Sequence, residues 1–197
     1  MRIGIDDGME TATIADLAEL EAWWKSATRR LFGENRLIRC VVIDGTPYYE
    51  GYEHALRERF DRIGEVRIIS MTCSEWFDDT VRELAGYLVS IAQAVDRVRA
   101  SMYGCPSSSD WNVFAQLLEG LHWIYEVLKA FSSYLKENGK TEESRKWLDV
   151  SEKLESAIRE LAAALERNET ISIGDVLEYE LKPVVLQISE LISQVKV

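Results

Sequence analysis

The chain is poor in the residues that usually carry chemistry. Its 197 residues include two histidines and three cysteines, at positions 40, 73 and 105. No C-x-x-C pair is present, and the odd count argues against a disulfide framework and for a reducing, cytoplasmic setting. No apolar run approaches the roughly 20 residues that a membrane span needs. The first residues carry Asp6, Asp7 and Glu10 in place of the basic-then-apolar start of a signal peptide. G-x-S-x-G, the Walker loop, G-x-G-x-x-G and H-E-x-x-H are all missing. Internal repeats and low-complexity tracts are missing too.

Positive charge is also scarce. The net charge is -11, which repels a phosphate backbone and disfavours nucleic acid as a partner. The basic cluster Arg29, Arg30, Arg36 and Arg39 reads as solvated positions near a helix end, where cations suit the dipole. Apolar residues make up 47% and charged residues 29%, the balance of a globular chain, and six tryptophans promise a sizeable core.

What is present is periodicity. Phe77, Val81, Leu84, Leu88, Ile91, Val95, Val98 and Met102 fall in a four-three rhythm, and Leu177, Leu181, Val184, Ile188, Leu191 and Val195 repeat it. A 3.5-residue repeat keeps one stripe facing a neighbouring helix along its length. Thr72 with Glu75 is a capping box that opens the first long helix. Asp110 is positioned to cap a second helix ending at Asn138-Gly139. Thr141 would cap a third, with Trp147, Leu154, Ile158, Leu161 and Leu165 on its face. Ser172 or Asp175 would cap a fourth that runs to the C-terminus. Short connections make neighbours antiparallel. Pro183 removes a donor from the fourth helix and predicts a kink there.

The N-terminal third is mixed. Residues 14–33 read as an amphipathic helix through Leu17, Leu20, Trp24, Ala27 and Leu31, with Gly33 as its stop. Leu37–Ile43 and Thr46–Tyr49 read as strands around the Asp44-Gly45 turn, with Pro47 placing the second on an edge. Residues 50–62 read as a helix, and Val66–Met71 as a third strand. Residues 1–13 are open between a short strand through Ile3 and Ile5 and an unfixed tail. The expected fold is α+β and mainly α: an N-terminal extension with a helix (1–34), a small three-stranded module (35–71), and a four-helix bundle (72–197) on which they dock.

The second bundle helix is apolar on two sides. Phe114, Leu118, Leu121, Tyr125, Leu128 and Leu135 face the bundle, while Gly120, Trp123, Val127, Ala130 and Tyr134 lie nearly opposite. That second face is either packed under the N-terminal strands and helix or is an interaction surface with aromatic anchors. Glu119 and His122 have the E-x-x-H spacing that puts two ligands on one helical face. The motif occurs once and the other stripes show no inward Glu, so no metal or other cofactor is expected. His54, in Tyr49-Glu50-Gly51-Tyr52-Glu53-His54, sits at a helix start that the carboxylates complement. Tyr48, Tyr49 and Tyr52 are candidates for a small-molecule site or for half-buried edge positions. Cys40 reads as a buried strand residue. Cys105 falls in a loop, where exposure and pKa decide its reactivity.

The stretches Leu117-Leu118-Glu119-Gly120-Leu121-His122-Trp123 and Asp175-Val176-Leu177-Glu178-Tyr179-Glu180-Leu181-Lys182-Pro183 resemble segments of an uncharacterised bacterial family with a short α/β start and a helical bundle. The resemblance spans 37–197, implies a bacterial cytoplasmic protein, and brings no catalytic residue with it. The expected function is therefore a non-enzymatic interaction protein (an adaptor, small chaperone or assembly factor) with a protein or a second copy of itself as partner. The alternatives are a ligand-binding or enzymatic bundle using Glu119 and His122, and a structural homo-oligomer.

Overall fold

A computed structural model gives the fold and describes residues 1–11 and 14–195. It contains two compact units, Met1–Trp76 and Phe77–Val197.

The first unit is built on one mixed sheet. Its strands are β1 (Arg2–Ile5), β2 (Gly8–Thr11), β3 (Arg36–Ile43), β4 (Thr46–Tyr48) and β5 (Glu65–Thr72), in the order β2-β1-β5-β3-β4. The sheet has five strands where the sequence pattern predicts three. The additional two come from the first 11 residues, which form a hairpin, β1 pairing in parallel with β5. Two features explain why so short a strand holds. Ile3 is buried among Val41, Ile43 and Val66. Asp6, at φ 52°, turns the chain after β1 and accepts from the Ser70 amide and hydroxyl, each at 2.7 Å. Residues 1–34 are thus part of this unit and no extension. Ala12 and Thr13, within the stretch left open above, lie outside the described residues. Pro47 sits on the edge strand, as its missing donor requires.

Helices α1 (Leu17–Gly33) and α2 (Tyr52–Glu58) cover one face, burying Leu20 and Leu56 in that cluster, with Ala27 and Leu31 against Ile68. The stop after α1 is Asn35 at φ 56°, with Gly33 still helical. A short amide side chain tolerates the left-handed region and makes the glycine unnecessary. Residues 50–62 divide into α2 and a 3₁₀ turn, Phe60–Arg62.

The second unit is an up-down bundle. Helix α3 (Cys73–Met102) begins in the first unit and supplies the bundle's first helix; α4 (Ser108–Glu137) and α5 (Thr141–Glu166) follow. The fourth is composite: α6 (Thr170–Asp175), a π-helical segment (Val176–Leu181) and α7 (Lys182–Gln194). The remaining expected stretch, Lys196 and Val197, lies outside the described residues. All eight α3 stripe residues are buried. Phe77 stacks on Tyr134, and Tyr87 meets Trp123 edge-on at 5.3 Å, so α3 and α4 run antiparallel. Ser132 and Ser144 exchange hydroxyl-to-carbonyl bonds at 3.0 and 2.8 Å and tie α4 to α5 near their turn.

Several caps differ from expectation. Ser107 caps α4 and Asp110 completes a capping box with it, because the carboxylate reaches back to the Ser107 amide at 2.9 Å. Lys140, without a side-chain bond, occupies the cap position expected for Thr141, and Glu169 precedes α6, accepting from the Ser172 hydroxyl. On α5, Leu165 is exposed and Ile158 half-buried. Near the C-terminus Ile192 is buried and Leu191 half-buried, since the π segment advances the helical phase.

Two mid-helix glycines in the bundle have a steric reason. A Cβ on Gly120 would collide with the Tyr87 hydroxyl and lie 2.9 Å from Ile91 Cδ1, and one on Gly174 would lie 3.0 Å from the Tyr103 ring. Each accepts the roughly 1 kcal/mol cost of a helical glycine in exchange for close packing. Gly120→Val is expected to lower unfolding free energy by about 1–3 kcal/mol through overpacking against α3. Urea denaturation followed by circular dichroism checks this, and an unchanged midpoint would show that Tyr87 moves aside freely.

Candidate functional site

The residues singled out by sequence have definite fates. Gly120 and Val127 are buried, and Trp123, Ala130 and Tyr134 are half-buried. Tyr87 covers Gly120 and Trp123, and Phe77 covers Tyr134 at 4.9 Å. This face, read either as covered by the N-terminal strands and helix or as an interaction surface, packs against α3 through Gly120, Trp123 and Tyr134. The signal was real, because a helix apolar on two sides is buried on two sides; the covering element is the preceding bundle helix. Glu119 and His122 are both exposed, and His122 lies 6.5 Å from Tyr125, ring to ring. Among the described residues no group of three or more His, Cys, Asp or Glu is placed to hold a metal ion.

In the first unit, His54 pairs with Glu58 at 3.2 Å on the surface. Tyr49, Tyr52, His54 and Arg57 border an open hollow of about 530 Å³, while Tyr48 accepts from Arg59 at 3.0 Å. A second hollow of about 300 Å³ has Leu17, Leu20, Trp24 and Leu56 as its apolar lining, and the lining charges Arg57 and Glu21 pair at 3.5 Å. Cys40 is buried, Cys105 is exposed, and the Cys73 thiol donates to Asn35 at 3.2 Å.

A four-residue charged arrangement lies between α3 and the start of α7. Pro183 has no N–H, so the Tyr179 carbonyl loses its usual donor four residues on. The chain widens one turn earlier, and the Lys182 amide bonds to the Leu177 carbonyl. The kink expected at the proline takes the form of this π segment. It presents Glu178 to α3, and α7 presents its first residue, Lys182, so that the two close a ring of alternating charge with Asp96 and Arg99. Lys182 Nζ lies 2.9 Å from Asp96 and 3.7 Å from Glu178; Arg99 lies 3.1 Å from Glu178 and 4.0 Å from Asp96. The hydrogen bond and charge of Lys182 hold Asp96 below the usual carboxylate range, and the bond to Asp96 raises Lys182 in turn.

One turn away the Tyr103 hydroxyl donates to Asp175 at 2.7 Å, over the bare Gly174. That bond, with the Asp175 charge and some desolvation, pushes the phenol up to about 12. The protonated phenol is the stabilised form, so the bond contributes fully below pH 10 and fades as pH climbs toward 12. Tyr103→Phe is expected to remove a late component, near pH 12, from an ultraviolet titration and to flatten the stability profile between pH 10 and 12. If that component persists in the variant, Tyr103 is not its source. Chemically, the ring neutralises its charges pairwise and clamps α3 to the fourth helix.

Beside the clamp, α3 and α7 leave an open apolar groove of about 670 Å³. Ala85, Leu88, Val89, Ala92 and Ile192 line it, together with Asp96 and the polar Gln93, Ser189 and Ser193. Val89 is 60% exposed, and Leu186 on α7 is 59% exposed. Sequence reading missed this face. The signal was a second four-three rhythm on α3, displaced from the buried one: Arg82, Ala85 and Gly86, Val89, Ala92 and Gln93, Asp96, all of them exposed.

These features define a four-helix bundle with an appended α/β unit, a charged clamp on one seam and an apolar groove beside it. The chain belongs to the family described as Domain of unknown function (DUF8042), whose model matches residues 79–191. The match covers less than the 37–197 span of the resemblance and falls within the bundle; both sequence stretches quoted for that resemblance lie inside it. No curated protein and no solved structure matches the chain. No helix among the described residues is long and apolar enough to cross a membrane.

Proposed function

We propose that this is a non-enzymatic protein-interaction module, and that the groove between α3 and α7 receives a helix. The observation that carries the reading is the exposure of Val89 in a concave, mainly apolar seam, while α7 also exposes Leu186. An apolar helix face lying in a groove is a common recognition mode, read through anchors three and four residues apart. The outer rhythm of α3 has that spacing. The unpaired cysteines fit a bacterial cytoplasmic setting for an adaptor or assembly factor.

A photo-cross-linking residue placed at position 89 or 186 tests this in cells, with position 152 on the exposed side of α5 as control. The expected result is a discrete covalent protein adduct from 89 and 186, absent from 152, and suppressed when Gly86→Leu adds bulk to the exposed stripe of α3 that carries Val89. Equal labelling from all three positions, or no adduct at any, would contradict the reading.

A further inference from the structure

Resting on that reading, we infer that the helix the groove receives is α3 of a second copy of this chain, antiparallel to the first about a two-fold axis at Val89. The starting point is Gly86. It sits in the middle of a 30-residue helix, where glycine is unfavourable relative to alanine. Gly120 and Gly174 are explained by Tyr87 and Tyr103. A Cβ on Gly86 meets nothing within 4 Å. Among the described residues nothing packs against the missing side chain. A helix approaching from outside does, because a bare backbone permits close contact.

The residues around Gly86 specify what approaches. Arg82 and Asp96 stand seven residues either side of Val89 on the same exposed stripe. Two copies of α3 crossing antiparallel at Val89 place Arg82 of each opposite Asp96 of the other. The same register puts Gly86 opposite Ala92, Ala85 opposite Gln93, and Val89 against its own copy at the axis. A parallel arrangement would set Arg82 against Arg82 and Asp96 against Asp96. The stripe is thus complementary to itself in one orientation, as an isologous interface requires. Within the chain Arg82 pairs with Asp79 at 2.8 Å and Asp96 with Lys182 at 2.9 Å. Both pairs are solvent-exposed and weak, and a carboxylate accepts more than one donor, so the intermolecular pairs form at little cost.

Sedimentation velocity on the purified full chain over a concentration series tests the inference. The wild type is expected to dimerise. Gly86→Leu is expected to weaken dimerisation at least about 10-fold without lowering the thermal midpoint, since it improves helix propensity while blocking approach. Arg82→Glu alone and Asp96→Arg alone should each weaken it about 10-fold through like-charge contact, and the two together should restore it. A role for Asp96 in the clamp alone would give no such rescue. A wild type that stays monomeric to about 100 µM, well above the range of specific interfaces, overturns the second copy. So does a double variant no better than the singles. If the wild type is monomeric but position 89 still cross-links to a different protein, the groove reading stands and only the two-fold partner fails. No adduct removes both.

Discussion

Val89→Arg is expected to abolish the docking proposed at the α3–α7 groove and to leave the bundle folded. Val89 is 60% exposed, so a longer side chain there reaches solvent in the isolated chain, and stability should stay within about 0.5 kcal/mol of wild type. In the docked state the guanidinium would be trapped at the centre of an apolar contact with no carboxylate opposite. Stranding a charge in an interface costs about 2–5 kcal/mol, which corresponds to roughly 100-fold or more in affinity. Sedimentation and chemical denaturation on the same preparation separate the two effects. A variant that unfolds more easily would place Val89 in the core, and one that still docks would move the binding surface elsewhere.

Phe131→Ala has the opposite profile: it attacks the fold and leaves the surface alone. Phe131 is fully buried, with ring centroids 4.6 Å from Phe77 on α3 and 5.1 Å from Trp147 on α5. It therefore joins three helices of the bundle. Truncating a buried phenylalanine costs about 3–5 kcal/mol through lost burial and the cavity left behind. That is a large part of the about 5–15 kcal/mol that holds a typical domain. The urea midpoint should fall steeply, and Phe131→Leu should recover much of the loss. A decrease under about 1 kcal/mol would mean that the neighbouring rings collapse into the space.

The buried side of the bundle was legible because one physical rule governs it. Each α3 residue from Phe77 to Met102 in the four-three rhythm is buried, since a long helix with a single dominant neighbour direction must repeat at 3.5 residues. The composite fourth helix was half legible. Pro183 announced a missing donor, but where the chain would widen depended on whether Glu178 and Lys182 could find Asp96 and Arg99, far away in the sequence. The β1–β2 hairpin was unreadable for a similar reason. Its four-residue strands owe their place to long-range pairing with β5 and to Asp6 reaching Ser70, and short segments carry little periodicity. The groove face failed to stand out because Ala85, Gly86, Ala92 and Gln93 are small or polar, and an apolar count passes over them. The reason for Gly86 emerges only once the space beside it is seen to be empty.

Methyl resonances of the full chain, followed by NMR from dilute to concentrated solution, address the groove directly. Val89, Leu186, Ala85 and Ala92 should shift together as the concentration rises. Leu148 and Ile171, which are 42% and 63% exposed on other parts of the bundle, should stay still and serve as internal controls. Movement confined to Leu148 or Ile171, or no movement at Val89 and Leu186 across the series, would contradict self-docking at the α3–α7 face.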